Sequence, residues 1–282
     1  MTFEDFAKAH GLILRGLIAH RWIACPTTDH PRKMNGRYKF MGDMGWVQNW
    51  ATMDKPSLWK AEGVFKPSAQ FQKQKQDADR ERMALQAKAA AKAGWIMHQT
   101  ELKPHPYLER KGFPEQKAPV WDSEDGSKLV IPMRREGNIV GCQLINEEGD
   151  KKFLYGQATK GASFVMDAGG TPMFCEGFAT GLSIQSVMRA NKMRYCIYVC
   201  FSAGNMKTIA NSIVGGIVVA DHDASNTGQR VAQEIGKPYW LSPTVGQDFN
   251  DYFIEHGLFK SSQSLKKALV NVNTAQPTAA RI

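Results

Sequence analysis

The sequence has no run of about 18 apolar residues, so no segment is expected to cross a membrane as a helix. Its start, Met1-Thr2-Phe3-Glu4-Asp5, is acidic, which predicts no secretory signal and a cytoplasmic location. Cysteine is sparse. There are five, an odd number and scattered, which suits a reducing compartment and argues against a disulfide scaffold. Cys175, Cys196 and Cys200 fall in apolar segments and read as small core hydrophobes. His20, Cys25 and His30 lack the paired Cys-x-x-Cys spacing of a closed tetrahedral site, so no zinc is expected. A Gly-x-x-x-x-Gly-Lys-Ser/Thr loop is missing too, so any helicase that serves this chain must be a separate protein.

What is present is basic. The 282 residues carry a net charge of +9, enough chain for two modest domains with linkers. The excess is uneven. Residues 66–98 hold seven Lys and Arg against three Asp and Glu, and residues 259–282 hold four against none. Residues 99–166 balance at ten each, and residues 167–258 are slightly acidic, with six against eight. A polyanion partner is compatible with this, although charge alone does not establish one.

Five segments follow from composition and periodicity. Residues 1–65 read as a small β-rich module. A helix is expected over residues 2–19, with Thr2 as its cap and Phe3, Phe6, Ala7, His10, Leu14 and Leu17 on one face. A strand at Trp22–Cys25 and a hairpin through the turn Gly42–Gly45 follow. Tyr38, Trp46, Trp50 and Trp59, beside Arg32, Lys33 and Arg37, form either a base-stacking platform or the core of a small domain. Residues 66–98 read as a helical linker, polar and Ala-rich. Residues 99–168 and 169–258 make two further units, and after Phe259 a short helix at 262–270 is expected to give way to a disordered tail.

The most informative stretch runs from Val218 to Gln229. Its apolar run ends on Asp221-His222-Asp223, which predicts a buried parallel strand delivering two carboxylates to a crevice at its carboxyl end. Two such carboxylates repel unless a hard cation lies between them; the plainer alternative is an Asp-rich turn ahead of a helix cap. Met173-Phe174-Cys175 leads likewise into Glu176-Gly177, and a helix follows. Tyr195 to Cys200 and Tyr239 to Leu241 are further strands, the latter preceding Asp248-Phe249-Asn250-Asp251. Alternating strands and helices with acids at three strand ends fit metal-dependent phosphoryl transfer.

The order and spacing of these motifs over residues 171–256 resemble the TOPRIM domain shared by bacterial primases, topoisomerases and some nucleases. The glutamate motif looks like Glu176-Gly177 and the Asp-x-Asp motif like Asp221-His222-Asp223. Upstream, His105–Gly112, Leu129–Arg134 with Ile139–Gly141, and Lys152–Tyr155 resemble segments of DnaG-type primase cores, most of all those of phages and mobile elements. There are departures: Thr180 stands where the family has an aspartate, the Asp-Pro-Asp motif is altered at Asp248–Asp251, and the zinc ribbon is missing.

The resemblance implies an α/β fold: a TOPRIM-type parallel sheet flanked by helices, preceded by an α+β primase subdomain and the β-rich module. It implies synthesis of RNA primers from ribonucleoside triphosphates on single-stranded DNA, with Mg²⁺ or Mn²⁺. Glu176, Asp221 and Asp223 would be catalytic and, with Asp248 and Asp251, would hold metal. Arg134, Lys152, Lys160 and Lys207 would meet nucleotide or template. From its position in the chain alone, the N-terminal module would replace the zinc ribbon in contacting the template. Two rivals stand beside it: a nuclease using the same carboxylates on water, and a nonenzymatic single-strand binder or helicase-loading subunit.

Overall fold

The computed structural model describes residues 1–53, 55–61 and 69–274, in two compact units, Met1–Ala84 and Leu85–Ile282. In the first, the strands β1 (Trp22–Cys25), β2 (Gly36–Phe40), β3 (Met44–Asn49) and β4 (Ser57–Lys60) pair antiparallel in that order. The helix α1 (Phe3–Ala9) packs Phe3 and Ala7 against Tyr38, Val47 and Trp59 on one face of the sheet. Its start is as expected: Thr2 and Asp5 cap each other reciprocally. The helix stops far short of residue 19. Gly11 adopts φ +76° and Leu12 turns to pair with Thr27, so Leu14 and Leu17 reach the core from a loop.

The second unit contains two sheets. The first is an antiparallel meander: β5 (Glu101–Lys103), β6 (Ala118–Ser123), β7 (Gly126–Arg135), β8 (Asn138–Ile145) and β9 (Lys151–Phe153). The helix α2 (Ala69–His98) lays Ala89, Ala93 and Ile96 on Val130, Cys142 and Leu154, and the short α3 (Pro106–Arg110) buries Tyr107 and Leu108.

The second sheet runs β10-β12-β11-β13-β14, where β10 is Phe164–Asp167, β11 Thr171–Cys175, β12 Tyr195–Val199, β13 Ile217–Ala220 and β14 Tyr239–Leu241. The last four are parallel, and β10 joins the edge antiparallel to β12. All four residues of β13 are buried because helices cover both faces. Val219, Met173 and Ile197 meet α4 (Phe178–Ala190) and α7 (Phe249–Thr274) on one side. On the other, Val218, Phe174 and Ala220 meet α5 (Ala203–Ser212) and α6 (Thr227–Ile235).

The fold is therefore α/β as expected, and Tyr239–Leu241 is a strand with the expected bounds. The carboxyl-terminal helix differs. Instead of a short piece at 262–270, α7 runs Phe249–Thr274, two helical segments joined at Gly257 (φ +71°), so Asn273 and Thr274 belong to it. The expected tail from 275 onward lies outside the described residues. Among the described residues no helix is long and apolar enough to cross a membrane.

Candidate active site at the sheet switch point

The chain leaves β11 toward β12 on one side, then returns across β11 to place β13 on its other side. The crevice at the carboxyl ends of β11 and β13 is therefore a topological switch point, where open α/β sheets place ligands. Glu176 follows β11 and Asp221 follows β13, so both carboxylates open into it.

Their surroundings differ from those of Asp223. Burial pushes the Asp221 carboxyl up to about 7, helped by the negative charges of Glu176 and Asp248 and opposed by Lys151. Its Oδ1 is buried and, among the described residues, has no hydrogen-bond partner. Glu176 is also pushed up, first by burial and then by Asp223, while the backbone N–H of Ala203 at the start of α5 and the Lys151 charge pull the other way. The Asp223 carboxyl is lowered instead, chiefly by the Ser225 hydroxyl, which donates at 2.5 Å. Asp223 also accepts from the N–H groups of Thr227 (3.1 Å) and Gly228 (3.3 Å), so it caps the first turn of α6. Gly228 is required there, because a Cβ would collide with the Asp221 carbonyl oxygen.

The loop bearing Asp248 is tied to the Asp221 loop. The Gly246 N–H donates to the His222 carbonyl at 2.5 Å, the His222 N–H donates to Gln247 O at 3.3 Å, and His222 Nδ1 lies 2.7 Å from Ser242 O. Asp248 accepts from the Asp251 N–H at 2.8 Å and opens α7. Asp251 turns toward Lys111, at 3.2 Å, and is not among the charges that shift Asp221. Asn250 is buried, donating to Lys111 O and Ser183 Oγ.

The expected cations scatter. Lys151 and Lys152 are neighbours on β9, so they point to opposite faces. Lys151 acts on Asp221 and Glu176 and lines a cleft of about 460 Å³ with Tyr107, Arg110, Lys111 and Asp251. Lys152 lines a different hollow with Asp125, Lys128 and Asp150. Arg134 Nη1 donates to Gly137 O within its hairpin (2.9 Å), and Lys160 is exposed. Lys207 pairs with Glu234 on α6 at 2.7 Å, not with the α5 N-terminus. Sequence reasoning passed over Lys111, and of the neighbouring pair Lys151 and Lys152, both able to meet phosphate, it chose Lys152 as the nucleotide-binding residue. Strand parity was the available signal for Lys151.

Residues 172–258, which contain Glu176, Asp221, Asp223, Asp248 and Asp251, match the Toprim domain family. This stretch is a Toprim domain. Over part of its length this chain is similar to a chain in the bacteriophage T7 complex of lagging-strand DNA polymerase with primase domains bound to an RNA/DNA hybrid and dTTP. That likeness has 13% identity and a TM-score of 0.43, and covers 61% of this chain and 93% of that one. It is also similar to the primase fragment of the bacteriophage T7 primase-helicase protein, at 14% identity and a TM-score of 0.40, covering 58% of this chain and 69% of the other.

Among the described residues, no three His, Cys, Asp or Glu side chains are gathered tightly enough to hold a metal ion as they stand. The donor chemistry of the Toprim crevice nonetheless suits a hard cation. It offers carboxylate oxygens that repel one another and a buried Asp221 oxygen with no partner. The carboxylates are near enough to perturb each other. In the first unit, Cys25 on β1 is buried, and burial pushes its thiol up to about 11.

Proposed function

We propose that this chain is a primase that joins ribonucleotides on single-stranded DNA with Mg²⁺ or Mn²⁺, its Toprim domain carrying the chemistry. The reading rests on one observation above the others: two strand-end carboxylates flank the switch point, and one has a buried oxygen without a partner. Glu176, Asp221 and Asp223 would hold the cation, with Asp248 beside them and Asp251 at the edge. A bound cation of this kind neutralises charge building on the phosphoryl oxygens.

The chain's own groups divide the remaining work. Lys151, whose charge acts on Asp221 and Glu176, and Lys111, which lines the same cleft, receive the triphosphate, since fixed cations stabilise charge that grows in the transition state. A 3′-hydroxyl oxygen attacks the α-phosphorus, the bond to pyrophosphate breaks, and Glu176, with its raised carboxyl, accepts the hydroxyl proton. Arg134, Lys152 and Lys160 are left for the template strand, and Lys207 for holding α5 to α6. In this reading residues 1–65 meet the template, 66–98 link, 99–168 and 169–258 form the core, 259–282 are accessory, and a replicative helicase is a partner.

The test is a gel that resolves labelled DNA and labelled nucleotide together. Primers that depend on nucleotide and disappear in Glu176→Gln are the expected result. Nucleotide-independent cutting of the DNA that needs Glu176 would refute the reading in favour of a nuclease. Neither product, with unchanged strand binding by Glu176→Gln, would refute it in favour of a binder.

A further inference from the structure

The sheet of the first unit has two unlike faces. One carries Tyr38, Val47 and Trp59 and is the core of that unit. Strand register places Trp22, Lys39, Trp46 and Leu58 in one row across the other face, and Ala24, Arg37 and Gln48 in the next. The outer face of a small antiparallel sheet is ordinarily polar; here Trp22, Trp50 and Leu58 are 41%, 48% and 46% exposed. Exposed apolar surface rimmed by charge marks a binding site.

Arg37 is the centre of this face. Its guanidinium lies over the Trp22 ring, 4.4 Å from the centroid, and over the Trp50 ring at 5.7 Å. It is aimed by two hydrogen bonds to Gln48 Oε1, at 3.0 Å and 2.8 Å, and the Gln48 amide is itself oriented by donating to Met53 O. A neutral amide fixes the direction of the charge without cancelling it. Among the described residues neither Arg37 nor Lys39 forms an ion pair, and the strand positions on this face carry no acid. Half-exposed indoles beside an oriented arginine and a lysine, neither ion-paired among the described residues, match a chain of phosphates with flat bases between them.

We infer that the Trp22–Arg37–Trp50 face of the first unit binds single-stranded nucleic acid, stacking bases on the two tryptophans and holding phosphate with Arg37 and Lys39. The site differs from the one the sequence suggested, since Tyr38 and Trp59 face the core and Trp22 takes their place. It rests on the reading that residues 1–65 meet the template and gives that contact its residues; its failure is distinguishable from failure of the catalytic reading, because binding is measured without nucleotides or metal.

The experiment uses the full chain with fluorescent oligothymidylate or oligouridylate of about twelve nucleotides, within the span of one single-strand site. Trp22→Ala and Trp50→Ala should each weaken binding about tenfold, and Trp50→Phe should recover most of it. Lys39→Ala should reduce the slope of log K against log salt by about 0.7. Bromodeoxyuridine photocrosslinks should map to peptides holding Trp22 or Trp50. Equal losses on DNA and RNA support stacking and phosphate contact alone; a loss on one also supports the site and adds a sugar contact. Unchanged affinity in both alanine variants, crosslinks confined to the second unit, or equal losses on a blunt duplex would overturn the inference. The two tryptophans lie outside the core, so melting temperatures should hold; if an alanine variant melts early, Arg37→Gln with crosslink mapping decides.

Discussion

Asp221→Asn should make the metal-free protein more stable at neutral pH while abolishing primer synthesis. The folded chain holds the Asp221 carboxyl at about 7, against an ordinary value of 3.8. A carboxyl raised on folding binds its proton more tightly in the native state, so stability falls as pH rises from about 4 to 7 and is flat above. Three pH units at 1.36 kcal/mol each set a ceiling of about 4 kcal/mol on what ionised Asp221 costs at pH 8. Asparagine removes that cost but adds amide hydrogens where Oδ1 has no partner, giving back about 1–3 kcal/mol. A net gain of about 1–3 kcal/mol corresponds to roughly 2–10 °C for a unit of this size. Calorimetry in EDTA at pH 5 and pH 8 measures it, following the transition that Mg²⁺ shifts in the wild type. The gap between variant and wild type should be larger at pH 8, and Mg²⁺ should raise only the wild-type melting temperature. A variant that melts no higher than the wild type at pH 8, or a gap equal at both pH values, would refute the electrostatic argument.

Asp223→Ala should have the opposite sign, losing about 1 kcal/mol with the α6 cap, as denaturant titration would register. Gly228→Ala should cost about 1–3 kcal/mol, because a Cβ presses on the Asp221 carbonyl; an unchanged melting temperature would contradict the packing. Lys151→Ala should raise the KM for nucleotide about tenfold or more while Lys152→Ala stays within about twofold, since only the first acts on the Asp221 and Glu176 carboxyls; equal effects in steady-state kinetics would refute the facing argument.

The parallel sheet and its acids were legible in the sequence because each strand is a short apolar run closed by a carboxylate or a turn. A strand buried on both faces needs little else to declare itself. Asp221 and Glu176 stand at strand ends as expected, and the Asp-x-Asp spacing located the crevice. It could not tell that Asp223 would spend its oxygens on the first turn of α6, since the two expectations, metal pair and helix cap, ask for the same residues. Helix α1 was overdrawn because apolar spacing continues through Leu14 and Leu17, while a single left-handed glycine ends the helix.

By itself the sequence determined the strands of the parallel sheet, where the net charge gathers, and that carboxylates recur at strand ends. These are local matters, set by periodicity, caps and turns within a few residues. Only the tertiary structure decided which charges share a space. Lys151 rather than Lys152 faces Asp221 through the parity of a three-residue strand and the packing of two sheets. Lys207 is claimed by Glu234, 27 residues on, and Trp22 joins Trp50 around Arg37 through cross-strand register. Electrostatics and stacking act across a few ångströms of space regardless of separation along the chain, so these pairings exist only once the sheets have closed.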